Sequence, residues 1–368
     1  MNAKKTVLHL LKGTDVRING DRPWDIQVHN EALYARIIRD GSLGFGEAYM
    51  DGWWDCTRID LLMEKLVQAG IEKKVMNWKT ALAVVKAKVI NTQTKIRSKK
   101  VAEEHYDLGN DFYADMLDKY MQYTCGYWKH AKTLDAAQEK KLDLVCKKLQ
   151  LKKGEKVLEL GCGWGGFAYY AAKYYGCHVT AVNISEEQVA YARQRCKGLP
   201  VKIVKSDYRN IQGKFDKVAS IGMCEHVGYK NYRVLMQKAF DCLNQDGLFL
   251  LHTIAGNRSV TNTDRWIEKY IFPNSMLPSI KQLGEAMEGL FVMEDWHNFG
   301  ADYDKTLMAW YANFKKNWPK HQAQYGDRFY RMWTFYLLCC AGMFRARKIQ
   351  LWQIVLSKGI AGGYESIR

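Results

Sequence analysis

Residues Lys156 to Ala168, KVLELGCGWGGFA, constrain the fold more than any other stretch. The apolar run Val157 to Leu160 reads as a buried strand. It ends in four glycines within six residues, Gly161, Gly163, Gly165 and Gly166. Phe167 to Lys173 then reads as a helix. A strand that enters a helix through such a turn lets backbone approach a ligand, because glycine lacks Cβ and accepts positive φ. The helix start adds free N–H groups.

Two ligands fit this spacing. Gly161, Gly163 and Gly166 satisfy G-x-G-x-x-G, the dinucleotide pattern. Glu159 stands two residues before the first glycine. A carboxylate there repels a pyrophosphate and suits an ammonium or a hydroxyl. The loop therefore favours S-adenosylmethionine over a dinucleotide, and it looks like the first motif of a class I methyltransferase.

The chain of 368 residues is long enough for two domains. No apolar run approaches twenty residues, so no transmembrane helix is expected. Met1-Asn2-Ala3-Lys4-Lys5 lacks the apolar stretch of a signal peptide. Ten cysteines show no C-x-x-C pairing, so neither a metal site nor a disulfide framework is indicated, and a reducing, cytoplasmic setting is expected. The formal net charge of +16 points to a polyanion, either nucleic acid or an anionic membrane face.

Residues 1–72 read as a small α+β N-terminal domain. Val16 to Gly20 and Ile26 to Val28 look like strands, and Glu31 to Arg39 like a helix. Gly41 to Gly46 looks like a flexible turn, and Arg58 to Gln68 like a second helix. From Lys73 to Lys100 run nine lysines and arginines and no Asp or Glu. Trp78, Ala81, Leu82, Val85 and Val89 recur at helical spacing there. Residues 73–100 are thus either a basic amphipathic helix for a membrane surface or a solvated linker. A catalytic domain is expected over 101–368. Its first segments, Glu104 to Tyr113 and Met121 to Trp128, are aromatic, polar and without clear periodicity, as a site wall would be.

After a helix over Leu134 to Leu149, strands and helices alternate. Strands are expected at Val157 to Leu160, His178 to Ile184, Val201 to Val204, Lys217 to Ile221 and Leu248 to Ile254. Ser185 looks like a helix N-cap, with Gln188 completing a capping box. The rhythm predicts a doubly wound parallel sheet, whose ligands bind beyond the strands' carboxyl ends. Glu159, Asn183, Asp207, Glu225 and His252 all stand at such ends. An insertion near 255–290 reads as a cover over that crevice. Phe329 to Phe344 reads as a helix apolar nearly all round, and Gln350 to Leu356 as a closing strand.

At His105–Tyr113, Gln122–Trp128, Leu158–Gly166, Gly222–Gly228, Leu250–Ile254, Tyr270–Pro273, Glu294–Trp310 and Ala341–Gln353, the chain resembles the bacterial cyclopropane-fatty-acyl-phospholipid synthase and mycolic acid cyclopropane synthase family. The resemblance implies a Rossmann-like α/β class I methyltransferase with a mostly parallel seven-stranded sheet. It implies methylene transfer from S-adenosylmethionine to the cis double bond of a phospholipid acyl chain. A bound bicarbonate then removes a proton from the resulting carbocation. The bicarbonate pocket maps onto Cys125, Glu225, His252, Tyr303 and the backbone of Ile254. Cofactor contacts map onto Tyr123, Thr124, Glu159, Gly161, Cys162, Gly163, Trp164, Gly165 and Gly166. They continue through Asn183, Ile184, Ser185, Gln188, Asp207 and Tyr208. Asn183 stands where many class I methyltransferases carry an acid for the ribose, so weaker ribose anchoring is expected.

Cys340 occupies a position regarded as catalytic in the family, yet no His or Lys adjoins it in sequence to form a thiolate. The resemblance also implies a homodimer acting on unsaturated phospholipids at the inner face of the cell membrane, with no nucleic acid. A nucleic-acid methyltransferase would use the positive charge, but the apolar runs 270–278 and 329–344 speak against it. Methyl branching of the same lipids is the alternative within the family.

Overall fold

The computed structural model describes residues 3–71 and 108–368. The expected basic segment 73–100 and residues 104–107 of the aromatic wall lie outside the described residues. The described chain forms two compact units. One gathers 3–71, 261–273 and 303–349, and the other 108–260, 274–302 and 350–368. The sequence reading instead drew one continuous catalytic domain from 101 to 368. No helix among the described residues is long and apolar enough to cross a membrane.

The second unit is built on a seven-stranded sheet. Its strands are β1 (Lys156–Leu160), β2 (His178–Asn183), β3 (Val201–Lys205), β4 (Phe215–Ile221), β5 (Leu243–Gly256), β6 (Val292–Asn298) and β7 (Ile349–Ser357). Their order is β3-β2-β1-β4-β5-β7-β6. The pairs β1–β2, β2–β3, β1–β4 and β4–β5 are parallel, while β6 and β7 are antiparallel. This is the α/β methyltransferase architecture read from the sequence. Strands covered on both faces are written as continuous apolar runs, and β1 follows the rule: every position after Lys156 is buried. Val157 joins a core with Leu142, Val145, Phe167, Ala171 and Val189. Leu158, one residue on, joins the opposite core with Leu235, Met236, Leu283 and Ala286. The chain winds outward from β1 to β3, then returns to β4 on the other side of β1. That reversal opens a crevice at the carboxyl ends of β1 and β4.

Three local expectations are corrected. Residues 41–46 are not a flexible turn, because Ser42–Met50 is a helix. Its glycines serve close approach: a Cβ on Gly44 would meet the Arg36 carbonyl oxygen at 2.5 Å, and one on Gly46 would meet Trp266 Cδ1 at 2.5 Å. The expected strand at Val16 to Gly20 is reduced to one bridge between Ile18 and Ile26. The edge strand β6 was not expected, since its Glu294, Asp295 and His297 interrupt any apolar run.

In the first unit, Gln322–Arg345 is a helix kinked at Gly326, and Trp333 to Cys339 are buried in unbroken succession, so it is covered all round there as its apolar run implied. It packs against helix Ile59–Gln68 closely enough that a Cβ on Gly342 would collide with the Asp60 carbonyl. Asp60 is fully buried and paired with Arg58 at 2.7 Å and Arg345 at 2.8 Å. Arg345 also grips Asp304 at 2.8 Å. Burial pushes the Asp60 carboxyl upward, but the bonds to Arg58 and Arg345 outweigh it and leave it below its ordinary 3.8. Asp60→Ala is expected to cost about 1–3 kcal/mol, because it removes the carboxylate that Arg58 and Arg345 share, although Arg345 keeps Asp304. A depressed carboxyl stabilises above its unfolded value, so the loss seen in urea melts should be full at pH 7. It should shrink as pH falls below the ordinary carboxyl range. Equal midpoints for variant and wild type at pH 7 would contradict this.

Candidate active site

The glycine loop follows β1 directly. Gly161, Gly163 and Gly165 all take positive φ, at 80°, 50° and 77°. Gly161 and Cys162 both donate their N–H to the Val182 carbonyl at 3.0 Å, which seats the loop on β2. Gly166 opens the helix Gly166–Tyr175, and a Cβ there would collide with Gln122 Nε2 and the Tyr120 carbonyl oxygen. Trp164 donates its indole N–H to Asn110 Oδ1 at 2.7 Å. The Tyr113 ring lies 4.9 Å from Trp164 and 5.3 Å from Tyr123, forming an aromatic wall.

The polar positions expected around the cofactor are placed more specifically than the sequence suggested. Glu159 is buried, and burial drives its carboxyl well upward against the opposing charge of Lys141 and the Ala168 N–H. Its Oε2 has no hydrogen-bond partner. Asn183 donates to the Gly163 carbonyl at 3.2 Å and to Gln188 Oε1 at 2.8 Å. Its Oδ1 accepts from Ile184 N–H at 2.7 Å and Ser185 N–H at 3.3 Å. Two donors and two acceptor sites are thereby filled. Asn183 braces the loop through Gly163 and Gln188. The capping box is also half present. Ser185 accepts from the Gln188 N–H, but the Gln188 side chain turns to Asn183 instead of returning to the cap. Asp207 is paired with Arg209 at 2.6 Å, and burial raises the Tyr208 hydroxyl.

The second cluster sits beyond β4 and on β5. Glu225 lies in the short turn Cys224–His226. Its carbonyl accepts from the Met276 N–H at 2.7 Å, and its Oε1 accepts from the Ile254 N–H at 2.7 Å. The Ile254 N–H, expected to hold an ion's oxygen, is thus engaged by Glu225. Glu225 Oε2 is buried without a partner, and burial raises the carboxyl to about 7 despite the Ile254 bond. His252 is fully buried, with Nδ1 facing Gln353 Nε2 at 3.3 Å and Nε2 without a partner. With the Gln353 amide assigned this way, the imidazole proton belongs on Nε2. Burial, reinforced by the charges of Lys141 and Lys148, holds the ring well below its ordinary value and therefore neutral. Cys125 is fully buried, its thiol 3.2 Å from the Gly126 carbonyl oxygen. Glu225 Oε2 and His252 Nε2 are thus a buried acceptor and a buried donor without partners.

The family profile described as mycolic acid cyclopropane synthetase spans residues 62–354. The chain belongs to this family. It is 50% identical over 360 residues to the cyclopropane-fatty-acyl-phospholipid synthase of Escherichia coli strain K12, covering 98% of this chain and 94% of that one. A mycolic acid cyclopropane synthase solved in complex with SAH and CTAB shares 30% identity at a TM-score of 0.66. That match covers 70% of this chain and 97% of the other. The cyclopropane synthase structure from Mycobacterium tuberculosis matches at 27% identity, with the same TM-score and coverage.

The remaining two residues singled out from the family resemblance belong to the first unit. Tyr303 is buried, its ring stacked 4.5 Å from Phe344 and 5.9 Å from Trp310. Burial, with Asp264 nearby, pushes the Cys340 thiol up to about 12. A thiol held protonated in this way is a weak nucleophile. The sequence reading missed Lys141, Gln122, Gln138 and Gln353. Lys141 and Lys148 both lie on the buried side of helix Leu134–Lys148, with Leu134, Gln138 and Val145. Two lysines at heptad spacing inside an apolar stripe were the available signal. Lys148 is paired with Asp295 at 3.2 Å.

Proposed function

We propose that this enzyme is a cyclopropane-fatty-acyl-phospholipid synthase, with S-adenosylmethionine as methylene donor, an unsaturated phospholipid as acceptor and bicarbonate as base. The observation that carries the reading is the pair of orphaned groups, Glu225 Oε2 and His252 Nε2, in a relative half identical to a synthase of that name. The alkene π pair forms a bond to the methyl carbon while the carbon–sulfur pair returns to sulfur. The resulting cation loses one proton from the new methyl, and that C–H pair closes the ring. Bicarbonate supplies the proton acceptor when bound.

The chain's own groups do the holding. Neutral His252 donates from Nε2, and it cannot compete for the proton. Ionised Glu225 would hold the anion by accepting its hydroxyl proton at Oε2, which would keep two negative groups compatible in one site. Tyr123 and Trp128 offer π faces to the cation, a contribution of order 1–2 kcal/mol each when desolvated. The glycine loop, with Tyr123, Thr124 and Asp207, accommodates the donor. Exclusion of water and close positioning supply much of the acceleration.

The positive net charge supports docking on an anionic membrane face, and the family resemblance is what implies a homodimer. Vesicle flotation and light scattering test these two points. The reaction is tested with isotopically labelled donor and unsaturated phospholipid vesicles. The acyl chains should gain one CH₂ and then resist hydrogenation that saturates alkenes, and turnover should fall in carbonate-stripped buffer. A gain that remains hydrogenatable would mean methyl branching. Undiminished turnover without carbonate would remove the base.

A further inference from the structure

Lys141 is fully buried in the second unit. Its ammonium donates to Thr124 Oγ1 at 3.0 Å and to Gln122 Oε1. These two acceptors flank Tyr123 and precede Cys125. Each also rests against a glycine. The Gln122 amide lies against Gly166, where no Cβ could fit beside it. The Thr124 methyl lies against Gly222, where a Cβ would stand 2.5 Å from Cγ2. Gly166 starts the helix behind the cofactor loop, and Gly222 opens the segment that carries Glu225. Gln138, one turn earlier on the same helix, donates to the Thr124 carbonyl at 2.7 Å and reinforces the grip.

We propose that Lys141 is a positioning residue: it ties Gln122 to Thr124 and so fixes the distance between the glycine loop and the Glu225 segment. The inference rests on the reading above, in which one segment holds the methyl donor and the other the base. A lysine suits the task because one ammonium reaches two acceptors at once, whereas a neutral side chain of that length offers none. Burial lowers it only to about 8, with Asp118, Cys125 and Glu159 opposing, so it is mostly charged at neutral pH. A misplacement near 1 Å between reacting groups costs about 10²-fold in rate. The cost falls on turnover, not on the loop that binds the donor.

The test uses the full-length enzyme and three variants: Lys141→Met, Thr124→Val, which keeps the shape and removes the hydroxyl, and the double variant. S-adenosylhomocysteine affinity is read by calorimetry, and kcat at saturating donor per folded molecule. Lys141→Met should lower kcat at least about thirtyfold and weaken S-adenosylhomocysteine no more than about fivefold. Thr124→Val should lower kcat in the same direction, and the double variant should be no slower than Lys141→Met alone. If Lys141→Met keeps kcat within threefold, or if the two losses multiply in the double variant, the tie is refuted. Because Thr124 also accommodates the donor, its S-adenosylhomocysteine affinity is read as well, and a lower kcat at saturating donor with affinity kept supports the tie even if Lys141→Met does not fold, whereas kcat kept within threefold refutes it. Wild-type turnover indifferent to bicarbonate would fail the base assignment alone, since these comparisons do not use bicarbonate as a readout.

Discussion

Glu225→Gln should lower turnover by about 10³-fold, within the range for loss of a group that handles a proton. S-adenosylhomocysteine affinity should stay within about threefold of wild type, because the change spares the glycine loop and is nearly isosteric. The amide oxygen can still accept from the Ile254 N–H, which Oε1 now takes at 2.7 Å. What changes is the other atom. Oε2, buried without a partner, becomes an NH₂ that donates and cannot accept.

The pH profile separates this from misfolding. Burial places the Glu225 carboxyl at about 7, so it ionises as the pH rises through neutrality. Wild-type kcat should rise through that window, and the variant should lack the rise. Stability should move the other way. A carboxyl raised above its unfolded value stabilises most at low pH and loses that contribution as pH rises through about 7. The variant should therefore melt higher than wild type at pH 8, with the gap closing in acid. A variant with near-native turnover would end the assignment of Glu225 to the base.

Gly166→Ala should reduce unfolding free energy by about 1–3 kcal/mol, the usual cost of overpacking, and weaken S-adenosylhomocysteine at least tenfold. The added methyl would meet Gln122 Nε2 and the Tyr120 carbonyl oxygen. The amide is held by Lys141, and the carbonyl cannot move aside either. Its turn is pinned by Asp118, which accepts from the Tyr120 and Gln122 N–H groups, both at 2.8 Å. Relief must therefore come from the loop itself. Gly163→Ala is the comparison. It has open space around a Cβ but a φ of 50°, so its cost is conformational only, about 1–2 kcal/mol. Unchanged melting and affinity in Gly166→Ala would show that the Tyr120 turn is not rigid.

The sheet was legible because its buried strands are apolar runs separated by helix-like segments, as β1, β2 and β5 illustrate. The strand order was less so, since pairing of β7 between β5 and β6 depends on contacts distant in sequence. Glu225 and His252 were singled out through family motifs and their expected places at strand ends. Lys141 and Gln353 were not, because each draws its meaning from a partner on another element, Thr124 and His252. The glycines of 41–46 misled for a physical reason: a residue without Cβ serves backbone freedom and close packing equally well. The bracing of the loop by Asn183 was not legible either, because its amide bonds reach Gly163 and Gln188 on other segments.

The placement of the thiols carries a consequence for durability. Cys146, Cys162, Cys224 and Cys339 are buried and driven well above their ordinary value, and Cys56 and Cys340 stand near 12. A reagent able to alkylate so poor a nucleophile as an olefin would consume an ionised sulfur far sooner. By keeping Cys146, Cys162, Cys224 and Cys339 protonated and buried, the fold shields these sulfurs from methylation by its own reactant through many cycles.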